Sequence, residues 1–238
     1  MQRFYFDKIL VGELAHKKIL EIKDRDFLHQ ISHVMRSRVG EKIIIFNSDS
    51  FEYIYEIVSI SSKMISLNLV ESLKNICDPE IEINLYQALP NKYEKIEYVI
   101  QKGTEVGISN FVFFSSERSQ KLAINSTKIE RFELIIKESL EQCSGNKKPN
   151  IFFYEKLPLT SVNGEKLILH TKGENSINLK EFEKTGEKIN IFVGPEGGFS
   201  DKEIELFSNN HCKIINFGER ILRTETAGIV ASFYILNS

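Results

Sequence analysis

Gly194-Pro195-Glu196-Gly197-Gly198-Phe199-Ser200 follows an apolar run, residues 189–193, that is broken only by Asn190. The run predicts a buried strand entering the loop. Beyond the loop, Ser200 and Glu203 have capping-box spacing, and Phe199 and Ile204 occupy the N′ and N4 positions of a hydrophobic staple, so a helix starts there. Three glycines within five residues let the backbone take unusual angles and approach a ligand where a Cβ would intrude. The helix start leaves N–H groups free beside a partial positive charge. Strand, glycine loop and helix together predict a small-ligand site.

A second stretch, Phe217-Gly218-Glu219-Arg220-Ile221-Leu222-Arg223-Thr224-Glu225-Thr226-Ala227, repeats the arrangement. It follows an apolar strand over 213–217 and leads into an apolar helix over 227–236. Two such units close in sequence place their loops at one end of a parallel sheet, where open α/β sheets bind ligands.

The chain has 238 residues, 42% hydrophobic and 27% charged, with a formal net charge of −2. That balance excludes a protein that coats nucleic acid by bulk electrostatics, but not one with a local basic patch. No apolar run reaches the roughly 20 residues that span a bilayer, and the first seven residues lack a signal-peptide core; both point to the cytoplasm. Cys77, Cys143 and Cys212 are odd in number and widely spaced, which predicts buried reduced thiols. His16, His33 and His211 show no metal-ligand spacing, and no metal is expected.

Residues 1–72 read as mostly β, with strands over 42–46, 53–60 and 64–69, and with one helix over 26–37 capped by Asp26 and closed by Gly40. Short strands at close spacing fit a small barrel. Asp78-Pro79 marks the junction. Thereafter strands over 81–89, 111–114 and 167–169 alternate with helices over 92–106 and 126–143, which predicts a mainly parallel sheet with helices on both faces.

The two loop stretches resemble the 16S ribosomal RNA (uracil-N3) methyltransferases of the SPOUT superfamily. So, in order along nearly the whole chain, do Arg3-Phe4-Tyr5-Phe6, His29 with Val34-Met35-Arg36, Val39-Gly40-Glu41, Gln87-Ala88-Leu89-Pro90, Ile100-Gln101-Lys102-Gly103-Thr104-Glu105, Ser116-Glu117-Arg118-Ser119, Glu141-Gln142-Cys143 and Leu167-Ile168-Leu169-His170. Gln30, Gly103 and Ser144 depart from the pattern, the last where an Arg is usual. The resemblance implies a PUA-like β-barrel over 1–72 that grips RNA, and over 73–238 an α/β domain with a deep trefoil knot, acting as a homodimer on the small ribosomal subunit. It implies S-adenosylmethionine as cofactor, held by Leu169, His170, Gly194, Pro195, Glu196, Gly197, Gly198, Phe217, Gly218, Ile221, Leu222, Arg223, Thr224 and Thr226.

Uridine N3 carries a proton whose pKa lies well above neutrality, so a base or an anion-stabilising group is required. Arg223 is the candidate for stabilising the uracil anion, and Glu225 or Glu196 for the base. Arg3, His29, Arg36, Arg38, Lys102 and Arg118 are the candidate RNA contacts. Residues 1–72 hold ten Lys+Arg and ten Asp+Glu, so an RNA grip there depends on where a few arginines sit. The rival readings are a related SPOUT enzyme acting on a ribose 2′-hydroxyl or another base, and a catalytically silent RNA-binding assembly protein.

Overall fold

The computed structural model describes residues 1–171 and 176–238. It divides into two compact units, one made of Met1–Asp78 with Leu140–Lys147 and the other of Pro79–Ser139 with Lys148–Ser238.

The first unit contains strands β1 (Gln2–Tyr5), β2 (Ile19–Ile22), β3 (Lys42–Phe46), β4 (Phe51–Ile60) and β5 (Ile65–Lys74), and a short helix α1 (Arg25–His29). β5 therefore continues past residue 72. The sheet order is β1-β3-β4-β5-β2, antiparallel except where β1 runs parallel to β3. Among the described pairings β1 and β2 are edges, so the expected barrel is not closed by hydrogen bonds. Phe27 of α1 packs edge-on against Phe4 and Phe6, with ring centroids 5.2 and 5.6 Å apart, and covers the core on that side.

The helix expected over 26–37 is shorter and differently capped. Asp24, not Asp26, accepts the Phe27 N–H at 3.0 Å. The α-helical pattern stops at His29 and widens into a π turn over Gln30–Val34, with the Met35 N–H bonding the Gln30 carbonyl. Arg36 then takes a positive φ of 55° and ends it.

Arg3 was expected to contact RNA, and here the structure corrects the sequence. Its residue is 8% exposed, and its guanidinium lies 4.4 Å over the Phe46 ring. It donates to Glu52 at 2.7 and 3.1 Å, to the Leu140 carbonyl at 2.6 Å and to the Gly145 carbonyl at 2.9 Å. Four of its five N–H donors are thus engaged within the first unit. Asn146 anchors the same segment: its carboxamide accepts from the Ser50 N–H and donates to the Phe51 carbonyl. Cys77 is exposed rather than buried, while Cys143 and Cys212 are half-buried; burial pushes the Cys212 thiol up to about 11.

The second unit contains strands β6 (Glu82–Ala88), β7 (Asn110–Phe114), β8 (Asn150–Tyr154), β9 (Glu165–Leu169), β10 (Ile177–Asn178), β11 (Lys188–Val193) and β12 (Lys213–Asn216). Its helices are α2 (Tyr93–Val106), α3 (Ser126–Cys143, whose residues from Leu140 on belong to the first unit), α4 (Asp201–Asn209) and α5 (Thr224–Asn237). The sheet order is β10-β12-β9-β11-β6-β7-β8, and every pairing is parallel. β8 and β10 are edge strands that the sequence pattern did not announce. β8 alternates between exposed and half-buried residues, and β10 is two residues long, so neither carries the apolar run of a central strand.

Alternation along β11 sends successive side chains to opposite faces. Phe192 joins Phe199 and Phe207 in the cluster beneath α4. Val193, with Leu85 of β6, meets α5 at Gly228, where a Cβ would come within 2.6 Å of the Leu85 side chain. Gly103 within α2 is required for a similar reason, since a Cβ there would fall 2.4 Å from the Phe111 ring.

Asn190, the polar break in the apolar run, belongs to a ladder across four strands. Asn84 donates to Asn190, Asn110 to Asn84 and Asn150 to Asn110, at 3.0, 2.6 and 2.9 Å. These residues are direct register partners. A one-residue slip would leave buried carboxamides unpaired, so the ladder sets the register.

Candidate functional site

β9, β11 and β12 end side by side, because Leu169 pairs with both Val193 and Ile215. The loops leaving them form a cavity of about 570 Å³, within the range of small-ligand pockets. Its walls hold Leu169 and His170, residues 194–199, Phe217, Gly218, and Arg220 through Glu225. Thus the structure brings together every expected cofactor residue except Thr226, which does not line the cavity and whose N–H bonds the Arg223 carbonyl. Arg118, expected on RNA, also lies in this wall.

The glycine loop is built as its sequence predicts. Ser200 accepts the Glu203 N–H at 3.2 Å and Glu203 accepts the Ser200 N–H at 2.8 Å. A tight turn joins the Gly198 N–H to the Pro195 carbonyl, with Gly198 at φ 68°. A Cβ at Gly194 would sit 3.2 Å from the Phe199 nitrogen, so any larger residue there would have to push the returning loop backbone away by a few tenths of an ångström. Arg118 donates to the Gly197 and Phe199 carbonyls at 2.9 and 3.2 Å, and the other Glu203 oxygen accepts the Glu117 N–H. On the other side, Gln87 donates to Thr224 Oγ1, which donates to the Gly194 carbonyl.

Two acidic side chains flank one lysine. Lys95 Nζ lies 2.6 Å from Glu196 Oε1 and 3.5 Å from Glu225 Oε2. Glu196 Oε1 also accepts the Asn91 N–H at 3.1 Å. Among the described residues no hydrogen bond reaches the buried Glu225 Oε2. Burial works against the charge on Lys95, but Glu196 and Glu225 outweigh it and hold the ammonium above the ordinary lysine range. Burial likewise opposes ionisation of Glu196. The hydrogen bonds from Lys95, the Asn91 N–H and its own N–H prevail, and hold it below the usual carboxylate range.

Lys95, Arg220 and Asn216 are wall residues that sequence reasoning missed. Lys95 sits in the first turn of α2, far in sequence from either glutamate, and no local spacing marks it. Arg220 lay inside the quoted stretch but carried no distinguishing pattern. Arg36, Arg38 and His29 are exposed on the first unit, with His29 stacked on His33 at 5.0 Å. Lys102 pairs with Glu105 at 2.7 Å and is not part of the cavity.

A parallel sheet with a glycine loop and a helix start at its carboxyl end defines an α/β ligand-binding domain, and family comparison gives its class. Residues 77–236 match the RNA methyltransferase domain, and residues 22–70 the RNA methyltransferase PUA domain. Ribosomal RNA small subunit methyltransferase E of Buchnera aphidicola is 33% identical over 85% of this chain and 82% of its own length. Ribosomal RNA small subunit methyltransferase E 2 of Borreliella burgdorferi is 34% identical over 90% and 89%. A Legionella pneumophila methyltransferase, solved in complex with bound SAM, superposes with a TM-score of 0.84 at 28% identity, covering 98% of this chain and 96% of that one. The chain belongs to the small-subunit ribosomal RNA methyltransferase E family.

Proposed function

We propose that this chain methylates N3 of a uridine in 16S ribosomal RNA of the small subunit, with S-adenosylmethionine as donor. The observation that carries the reading is the convergence of the three loops on one cavity, in a chain similar to a SAM-bound methyltransferase. The wall suits that cofactor. Glycine backbone lines it, the apolar Ile221 side chain is 79% exposed beside it, and carboxylates face it to meet a cation.

When bound, the cofactor supplies an electrophilic methyl group on a sulfonium, so the protein has to orient it and ready the acceptor. Backbone groups of Leu169, Gly194, Gly197, Phe217, Ile221 and Leu222 hold the adenosine part. Glu225 takes the N3 proton, because Glu196 is already held by two donors while Glu225 Oε2 has no hydrogen bond. Arg223, exposed at the cap of α5, stabilises the uracil anion. Arg118 braces the glycine loop, and Arg36, Arg38 and His29 on a PUA-like unit meet RNA, each phosphate contact steepening the salt dependence of binding. Lys102, on the second unit, is a further RNA contact in this reading.

The knotted path belongs to the same reading and is supported by the sheet order, in which β11 and β12 flank the earlier β9. So does a homodimer, supported by Val230 and Phe233, which leave an apolar strip of α5 exposed. The cytoplasm is the expected place of action; among the described residues no helix is long and apolar enough to cross a membrane.

The test uses small subunits from cells lacking this protein, the purified protein and methyl-labelled S-adenosylmethionine. Mass spectrometry after nuclease digestion is expected to find label on N3 of a single uridine. Label on a ribose would keep the cofactor site and refute the target.

A further inference from the structure

The geometry points to Lys95 as a positioning residue that keeps the Glu225 carboxylate in the cavity, ready to accept the N3 proton. This rests on the proposed uridine-N3 chemistry. In that step the N3–H bond breaks, its electron pair stays on N3 and the proton passes to Glu225.

The two carboxylates hold Lys95 unequally. Glu196 takes the short contact at 2.6 Å and is tied a second time by the Asn91 N–H, so it anchors the ammonium to the glycine loop. Glu225 takes the long contact at 3.5 Å, with its Oε2 buried and without a hydrogen bond. A charge at that distance fixes where the carboxylate sits without occupying its lone pairs as a short hydrogen bond does. Lys95 reaches both acids from α2, which packs on α5, the helix that carries Glu225. Its side chain is 23% exposed, so water screens the pair only in part. Among the described residues, the other charged or titratable groups facing the cavity are Arg118 beyond β7, His170 after β9, and Arg220 and Arg223 before α5. Arg118 is committed to the glycine-loop carbonyls, and among the described residues Lys95 is the cation in ion-pair contact with Glu225.

The test compares Lys95→Met, Lys95→Arg and wild type in two measurements. In cofactor-free protein labelled with carboxyl-13C glutamate, the Glu225 signal is identified by its loss in Glu225→Gln. It is expected to move in Lys95→Met and to return toward its wild-type position in Lys95→Arg. With saturating cofactor and subunits, Lys95→Met is expected to lower kcat at least tenfold at neutral pH and to displace the acid limb of the pH–rate profile, while KM for the subunit changes less than about threefold. Lys95→Arg is expected to recover most of kcat. A Glu225 signal identical in Lys95→Met and wild type overturns the inference, as does a rate profile of unchanged shape. If the signal moves as expected but wild type places no methyl on uridine N3, the placement of Glu225 by Lys95 holds and the proposed reaction fails. Should Lys95→Met not fold, Lys95→Gln takes its place in both measurements with the same expectations.

Discussion

Gln87 Nε2 donates to Thr224 Oγ1 at 2.8 Å, joining residues 137 positions apart. Thr224 passes the link on to the Gly194 carbonyl. One hydroxyl thereby fastens the first turn of α5, the end of β6 and the glycine loop to each other. Gln87 is 1% exposed and its Oε1 has no hydrogen-bond partner, so water cannot readily replace the threonine.

Thr224→Val removes both links at nearly constant volume. It is expected to cost about 1–3 kcal/mol of stability, the range for stranding a buried polar group, and to weaken cofactor binding. Thr224→Ser is expected to retain most of both. Chemical denaturation and calorimetry with S-adenosylmethionine check the pair.

Glu225→Gln and Arg223→Ala are each expected to lower methyl transfer by a factor of roughly 100, typical of losing a proton-transfer group or a stabilising charge. Cofactor affinity is expected to stay within about threefold. Single-turnover methylation of subunits, beside calorimetric binding, separates chemistry from affinity.

Arg3→Met leaves Glu52 with the Asn75 side chain as its remaining hydrogen-bond donor and frees the buried Leu140 carbonyl and the half-buried Gly145 carbonyl. A loss on the order of 3 kcal/mol is expected, with the salt slope of RNA binding unchanged. Arg36→Gln or Arg38→Gln is expected to do the reverse, sparing stability and reducing that slope by about one. Denaturation and salt-dependent RNA binding give the contrast.

Asn84→Ala breaks the asparagine ladder at its second rung and takes the donor from the wholly buried Asn190 Oδ1, while Asn190 Nδ2 keeps the Asn163 and Glu165 carbonyls. The expected cost is about 2 kcal/mol. Urea denaturation measures it.

The Glu196 carboxyl titrates below its ordinary value of 4.5 in the folded protein. A lowered folded pKa means the ionised form contributes stability above the unfolded value, lost as pH falls through the folded one. Wild type is therefore expected to lose more thermal stability than Glu196→Gln between pH 5 and pH 3. Lys95, raised above 10.5, gives the opposite dependence: its contribution is complete below 10.5 and lost at higher pH. Thermal melts at both ends of the range test the signs.

The sequence by itself determined the alternation of strands and helices in residues 79–238, the glycine loop with its capping box, and the family. Each of these is written in neighbours three to five positions apart, or in a linear order of short motifs. It also located much of the cavity wall, the loops at 194–198 and 217–225 from their strand–loop–helix pattern at one end of a parallel sheet, and Leu169 and His170 from the family resemblance. The tertiary structure alone decided that Arg3 is a buried strut, that Asn190 is a rung of a ladder, and that Lys95 stands between two glutamates, one of them 101 residues away. No local window shows the partners of that Arg, Asn or Lys. Its role is set by which distant backbone the packed chain brings beside it, and by whether water is left there to compete.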